Sequence, residues 1–280
     1  RKLSVKKGTW LDWLAYICLR LIICLIHCAS LETCDRVCRL LSVVFANWVK
    51  VRRTVIDANL QVAYGKLTPA ELSFLRQKMW HHLLLIVCEI AHAPRKIHRT
   101  NWREHIYMRD KDASLKILLE DRASVLVTGH FGNFEVAGYV TGLLGVHTST
   151  VARPLDNFYV DAYVEDFRSA TGQHILPKDG SSTAIQELLE QKGTLTILAD
   201  QHAGPKGSWV EFFGQATSCH KALALFVLSA KAPSFARSSW INSGSVAGLT
   251  SWSGPGRRNR SETRYCPSVA PGSRLISRSA

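Results

Sequence analysis

The sequence predicts an α/β fold: a mixed, largely parallel sheet flanked by helices, with an N-terminal membrane-associated helix. Three observations carry this. From Ala123 to Leu198, short β-branched runs alternate with helical stretches, the pattern of strand–helix units in a parallel sheet. Ahead of them, Trp10–Leu31 is an apolar run of about 20 residues, the length of a bilayer-spanning helix. Finally, His130, Arg153, Lys178 and Asp200 each fall just past a strand end, the edge where such sheets bind ligands.

The apolar run places Trp10, Trp13 and Tyr16 near one end, where amphipathic rings favour the membrane interface. Asp12 lies near that end and can stay wet. Arg20 is central and has to reach the surface or face protein. Arg1, Lys2, Lys6 and Lys7 precede the run, and Arg36, Arg39, Lys50, Arg52 and Arg53 follow it. Both flanks are drawn to the cytoplasm, which favours a helix lying in or dipping into the membrane over a simple span. The run has no clear small-residue cleavage site and is long for a signal peptide. Residues 34–49 form a second amphipathic stretch, with Val37, Leu40, Leu41, Val44, Phe45 and Trp48 at helical spacing. That face meets either lipid or the core of the soluble domain; both readings stand.

Helices are expected over Arg53–Tyr64 and Pro69–Ala93. Thr68 is the N-cap of the second, with Pro69 at the first position and Glu71 closing a capping box. Then follow a strand over Val125–Thr128 and a helix to Leu144, a strand over Ser149–Ala152 and a helix over Asp156–Ala170. A strand over His174–Leu176, a helix over Ser182–Gln191, a strand over Leu195–Leu198 and a loop complete the series. The chain divides into a membrane-anchoring helical segment (1–53), an α/β domain (54–236) and a tail (237–280). The tail is rich in Ser, Gly and Arg, has Glu262 as its one acid from 238 on, and lacks periodicity. It is expected to be disordered or to arise from a frame shift.

The 280 residues carry a formal net charge of +13, which points to an anionic partner. The basic residues are scattered without aromatic interleaving, so membrane and phosphate rank well above nucleic acid. Eight cysteines include the pairs Cys24/Cys28 and Cys34/Cys38 at one-turn spacing, and none in a C-x-x-C motif. They read as small apolar residues in a reducing compartment or in lipid rather than as disulfides or a zinc site. His81-His82 reads as packing, and His202 and His220 match no compact metal motif; no metal is expected.

The most informative stretch is His130-Phe131-Gly132-Asn133-Phe134-Glu135. A histidine at the end of a buried strand can take a proton from a hydroxyl. A carboxylate five residues on can hold the ring's tautomer and stabilise its charge. Gly132 lets the backbone bend. Asp200, ending another strand, is a rival or second acid partner. Arg153 and Arg168 are candidate phosphate ligands, Arg168 being equally readable as a solvated helix charge. No G-x-S-x-G elbow is present and no cysteine adjoins His130, which argues against a covalent intermediate on the protein.

These residues, in their order, resemble the bacterial lipid A late acyltransferase family, the lauroyl/myristoyl transferases of the wider lysophospholipid acyltransferase superfamily. His130 to Glu135 matches an H-x4-D/E signature. Arg153-Pro154 with Asn157, Arg168 with Gly172, Ala199-Asp200-Gln201, and Phe212-Phe213-Gly214 with Thr217 follow, and Asn59-Leu60 fits after the membrane segment. The resemblance implies a membrane-associated acyltransferase moving a fatty acyl chain from acyl carrier protein or acyl-CoA to a lipid hydroxyl, a lipid A-type glycolipid foremost. Its catalytic residues would be His130 as base with Glu135 and Asp200. Its substrate-binding residues would be Arg153, Asn157, Arg168, Gly132, Asn133 and Phe213, with Phe213 shaping the acyl pocket or core. Backbone amides near Gly132 and Asn133 would hold the oxyanion. It implies no cofactor, no nucleic acid, and a place at the bacterial inner membrane with the catalytic domain on the cytoplasmic side. The resemblance is expected to stop near Arg237. Acylation of a glycerophospholipid, or lipid binding by a truncated inactive relative, are the competing readings.

Overall fold

The alternation after Ala123 forms one five-stranded sheet, as the computed structural model shows. The structure describes residues 8–49, 51–106, 116–178, 180–229 and 234–236; the expected tail lies outside them. The strands are β1 (Ser124–Thr128), β2 (Thr148–Ala152), β3 (Gln173–Pro177), β4 (Thr194–Leu198) and β7 (Ser234–Ala236), in the order β3-β2-β4-β1-β7. Every neighbouring pair is parallel. The antiparallel component is confined to a separate hairpin, β5 (Ser208–Phe212) with β6 (Gln215–Cys219), which the sequence reading left as loop. Its two turn residues, Phe213 and Gly214, both have positive φ (51° and 69°), as a twist-matched two-residue hairpin requires.

Helices α6 (Phe134–Leu143), α7 (Phe158–Ser169), α8 (Ser182–Glu190) and α9 (Ala222–Ser229) surround the sheet. Strand alternation sends neighbours to opposite faces. Leu126 packs with Val136, Tyr139 and Val140 of α6, whereas Val125 packs with Leu195, Ile185 and Leu189. Val125, Val140 and Leu195 are fully buried, each contributing about 1.5–3 kcal/mol by transfer from water.

Ahead of the sheet, the described residues include α1 (Trp10–Cys28), α2 (Leu31–Asn47), α3 (Arg53–Tyr64), α4 (Pro69–Lys96) and α5 (Trp102–His105). The Thr68–Glu71 capping box forms as expected. Helix α4 runs three residues past its expected end at Ala93. Pro94 forgoes one N–H bond, but Ile97 N–H still reaches the Ala93 carbonyl at 2.9 Å. Helix α1 is long and apolar enough to cross a membrane and is little buried in the protein. Asp12 serves as part of its N-terminal capping box. Arg20 faces protein: its guanidinium lies 5.1 Å from the Tyr163 ring centre and donates to the Tyr16 hydroxyl at 3.1 Å.

Helix α2 resolves the choice left open for its apolar stripe. The surface it turns to α4 is a seam of small residues, Cys34, Cys38, Ser42 and Ala46, spaced four apart and buried. Val37, Leu40, Leu41 and Val44 remain exposed, so they do not belong to the core; Phe45 alone meets a large ring, Trp80 at 5.1 Å. His81 is a packing residue that also pairs with Asp35 at 2.8 Å. The cysteines among the described residues are free thiols, Cys38 and Cys88 meeting at 3.7 Å between α2 and α4.

Candidate active site

Strands β1 and β4 are neighbours, and Thr128 is level with Leu198. The chain runs two residues further in each, to His130 and Asp200. Equal overshoot from paired parallel strands brings the two side chains together. His130 Nδ1 lies 2.8 Å from Asp200 Oδ1, and the His130 backbone N–H donates to Oδ2 at 2.6 Å. One carboxylate therefore fixes both ring and backbone. Gly129 makes room for it: a Cβ there would sit 2.8 Å from Asp200 Oδ2. The ring packs edge-on against Phe134 at 5.0 Å. With Nδ1–H directed at Asp200, Nε2 is left as the proton acceptor, 3.4 Å from the Gln201 amide nitrogen.

Burial alone would raise the Asp200 carboxyl, but its hydrogen bonds to the His130 ring and amide more than offset this and hold it below the usual carboxylate range. A carboxyl whose folded value is depressed contributes stability above its unfolded value, near about 3.9, and loses it as pH falls through the lower folded value. Asp200→Asn is thus expected to reduce the protein's loss of stability between about pH 4 and lower values, read from thermal melts across that range. Both side chains are well exposed, so the effect is small.

Glu135 does not orient His130, contrary to expectation. It lies in the first turn of α6, which carries it away from the strand end toward α7. There Arg168 holds it in a two-pronged pair, Nε to Oε2 at 2.9 Å and a second nitrogen to Oε1. The pair is largely buried. The hydrogen bond to Glu135 outweighs burial and raises the Arg168 guanidinium further. Arg168 is therefore a paired residue and not a solvated helix charge.

The two asparagines have structural partners. Asn133 caps α6 through Val136 N–H at 3.1 Å and donates to Glu89 of α4 at 2.9 Å, buried throughout. Asn157 caps α7 and donates to the Asp12 carbonyl of α1 at 2.9 Å, tying the apolar helix to the α/β domain. Asn133→Ala is expected to cost about 1–2 kcal/mol of stability, measured as a lowered thermal midpoint. Gly132 has φ +60°, the left-handed conformation the turn requires. Phe213 sits exposed at the β5–β6 turn and lines no part of the cavity described next.

A cavity of about 390 Å³ opens beside His130 and runs between α6 and the sheet. Its mouth carries His130, Gln201, Arg153 and Leu155; its roof carries Phe134, Ala137 and Gly138; its floor is the face of β1, β4 and β2 that bears Leu126, Leu198 and Thr150. Arg153 is exposed and meets Asp156 at 2.8 Å in an ion pair open to solvent on both sides, worth little in stability. Lys178 is exposed past β3. Sequence reading passed over Gly129, whose position between a strand end and the histidine was the available signal. It also passed over Glu89, for which helix periodicity gives none. Among the described residues, no group of three or more His, Cys, Asp or Glu could hold a metal ion.

A parallel sheet thus carries a histidine–carboxylate pair at its carboxyl edge, beside a cavity. The chain belongs to the bacterial lipid A biosynthesis acyltransferase family, whose model matches residues 2–247. The match takes in the N-terminal helices and extends past Arg237, where the resemblance was expected to stop. A search of curated proteins returned no match.

Proposed function

We propose that this acyltransferase moves a fatty acyl chain from a thioester donor, acyl carrier protein or acyl-CoA, to a hydroxyl of a lipid A-type glycolipid. The observation that carries the reading is the His130–Asp200 contact, which leaves Nε2, engaged by the Gln201 amide at a long 3.4 Å, as the proton acceptor beside the slot. Nε2 takes the proton from the acceptor hydroxyl, and the oxygen attacks the thioester carbonyl. Asp200 stabilises the imidazolium so formed. The start of α6 lies beside His130, and its backbone amides offer the developing oxyanion a partial positive charge. The C–S bond then breaks, and the leaving thiolate takes the proton from the imidazolium. The products are an ester and a thiol, and the side chains and two substrates suffice for the step.

Arg153, at the mouth, is the group that receives a phosphate from donor or acceptor. The apolar exposed side chains of α1 and α2 attach the enzyme to the bacterial inner membrane, with the catalytic domain on the cytoplasmic side, where thioester donors are made. The test offers labelled acyl carrier protein and acyl-CoA to membranes bearing the full chain, with lipid A precursors and lysophospholipids as acceptors. Label on the glycolipid supports the reading. Label on the glycerophospholipid alone replaces its acceptor, and label on neither overturns it.

A further inference from the structure

The hairpin of β5 and β6 follows the carboxyl end of β4 and stands apart from the main sheet. Its anchorage is at the base. There Ala203 N–H donates to the Ser218 carbonyl at 3.0 Å, and the hydroxyl of the buried Ser218 donates to the Gly204 carbonyl. Beyond the base, every residue of β5 is open to solvent among the described residues. Trp209, Phe212 and Phe213 are 59%, 61% and 59% exposed, and the two rings at the turn meet edge-on at 4.6 Å. A two-stranded hairpin alone is marginally stable in water, so this one needs a cover. Strand alternation puts Trp209 on one face and Val210 and Phe212 on the other. A protein partner lies against one face of a hairpin, whereas a lipid layer surrounds its tip on all sides.

We infer that the turn Phe212-Phe213-Gly214 inserts into an anionic lipid surface and so turns the carboxyl edge of the sheet, with His130 and Asp200, toward the bilayer. The inference rests on the membrane attachment proposed above for α1 and α2, and adds a second contact and an orientation. Continuity is the first observation that selects lipid. Asn157, a few residues past β2, holds the Asp12 carbonyl, which places the aromatic end of α1, with Trp10 and Trp13 exposed, at this same edge. Strands β2 and β4 are neighbours, so that helix end and the hairpin base leave adjoining strands. Aromatic rings favour the membrane interface in both places. Charge is the second observation. Lys206, His220 and Lys221 stand exposed at the base of the hairpin. Five residues per strand make it roughly 17 Å long. Its tip enters the headgroup layer while the long lysine side chains stay in the field of the lipid phosphates. Glu211 and the hairpin's outer edges, unpaired among the described residues, limit the depth, because carboxylates and open backbone groups are costly in hydrocarbon.

The test asks what touches the tip. The full chain is reconstituted in vesicles of phosphatidylethanolamine and phosphatidylglycerol, with photoreactive benzoylphenylalanine replacing Phe213, Trp13 or Leu119 in turn. Lipid adducts formed on irradiation are counted by mass spectrometry, with no need of turnover. Trp13 reports on α1, and Leu119, exposed just ahead of β1 at the opposite edge of the sheet, reports the background. The adduct at Phe213 is expected to exceed that at Leu119 by about 10-fold, the lower end of what burying a phenylalanine side chain gives. Lipid at Trp13 without lipid at Phe213 overturns the inserted hairpin and leaves the attachment of α1 standing; lipid at Phe213 without lipid at Trp13 does the reverse. Adducts of Phe213 with residues 237–280 or with a second copy, in place of lipid, overturn the inference and identify the cover. Lys206→Gln is expected to lower the Phe213 adduct about 5-fold on these vesicles and to leave it unchanged on phosphatidylcholine alone. An equal yield on the anionic vesicles overturns the role of charge. The replaced side chains are exposed, so melts matching the wild type's are expected for every variant and show that each is folded.

Discussion

His130→Ala is expected to reduce acyl transfer by about 10²–10⁴-fold, the usual worth of a positioned general base, with little change in thermal stability. The ring is partly exposed and holds up no core, so its loss removes chemistry and leaves the fold. Asp200→Asn is expected to follow it in kind. An amide can hold the ring in place but offers no charge to the imidazolium and can favour the wrong tautomer, so the loss should exceed about 10²-fold at unchanged substrate affinity. The pairing of parallel strands makes this outcome specific to Asp200. Rates measured for both variants beside Glu135→Gln separate the two acids. Equal stability with lost rate belongs to Asp200, and lost stability belongs to Glu135.

Arg168→Ala is expected to destabilise the protein by about 3 kcal/mol, the cost of leaving a largely buried carboxylate without its partner. Urea unfolding followed by circular dichroism measures it. Arg168→Lys should recover little, because a point charge cannot make both bonds of the guanidinium fork to Glu135. The pair joins α6 to α7 along one wall of the slot, so transfer should fall with it. Activity that survives in Arg168→Ala at full stability would remove Glu135 and Arg168 from the architecture of the site.

Much of this was legible in the sequence because local signals were strong. The β-branched runs after Ala123 gave four strands within about a residue at either end, and Thr68-Pro69 with Glu71 announced the start of α4. His130 and Asp200 stood out as polar residues past strand ends. Strand order was not legible, and it decides which of the two acids meets the histidine. Glu135 is near in sequence, but a helix turn rotates it toward Arg168. Asp200 is 70 residues away, but β4 lies beside β1. The hairpin was missed because its turn places Phe213 at positive φ, where Asn or Asp is the common signal. The apolar stripe of α2 left two readings open for another reason: helix contact there is made by small residues, which periodicity of large ones does not mark.

The measurement that bears most directly on the central claim is ester formation on a lipid A precursor by membranes bearing the full chain. Wild type, His130→Ala and Asp200→Asn would be compared at matched protein levels with one acyl carrier protein donor. The account predicts labelled glycolipid from the wild type, and loss of at least about 10²-fold in each variant. Wild-type transfer that persists undiminished in both variants would contradict it, because the base would then lie elsewhere than at the edge of β1 and β4.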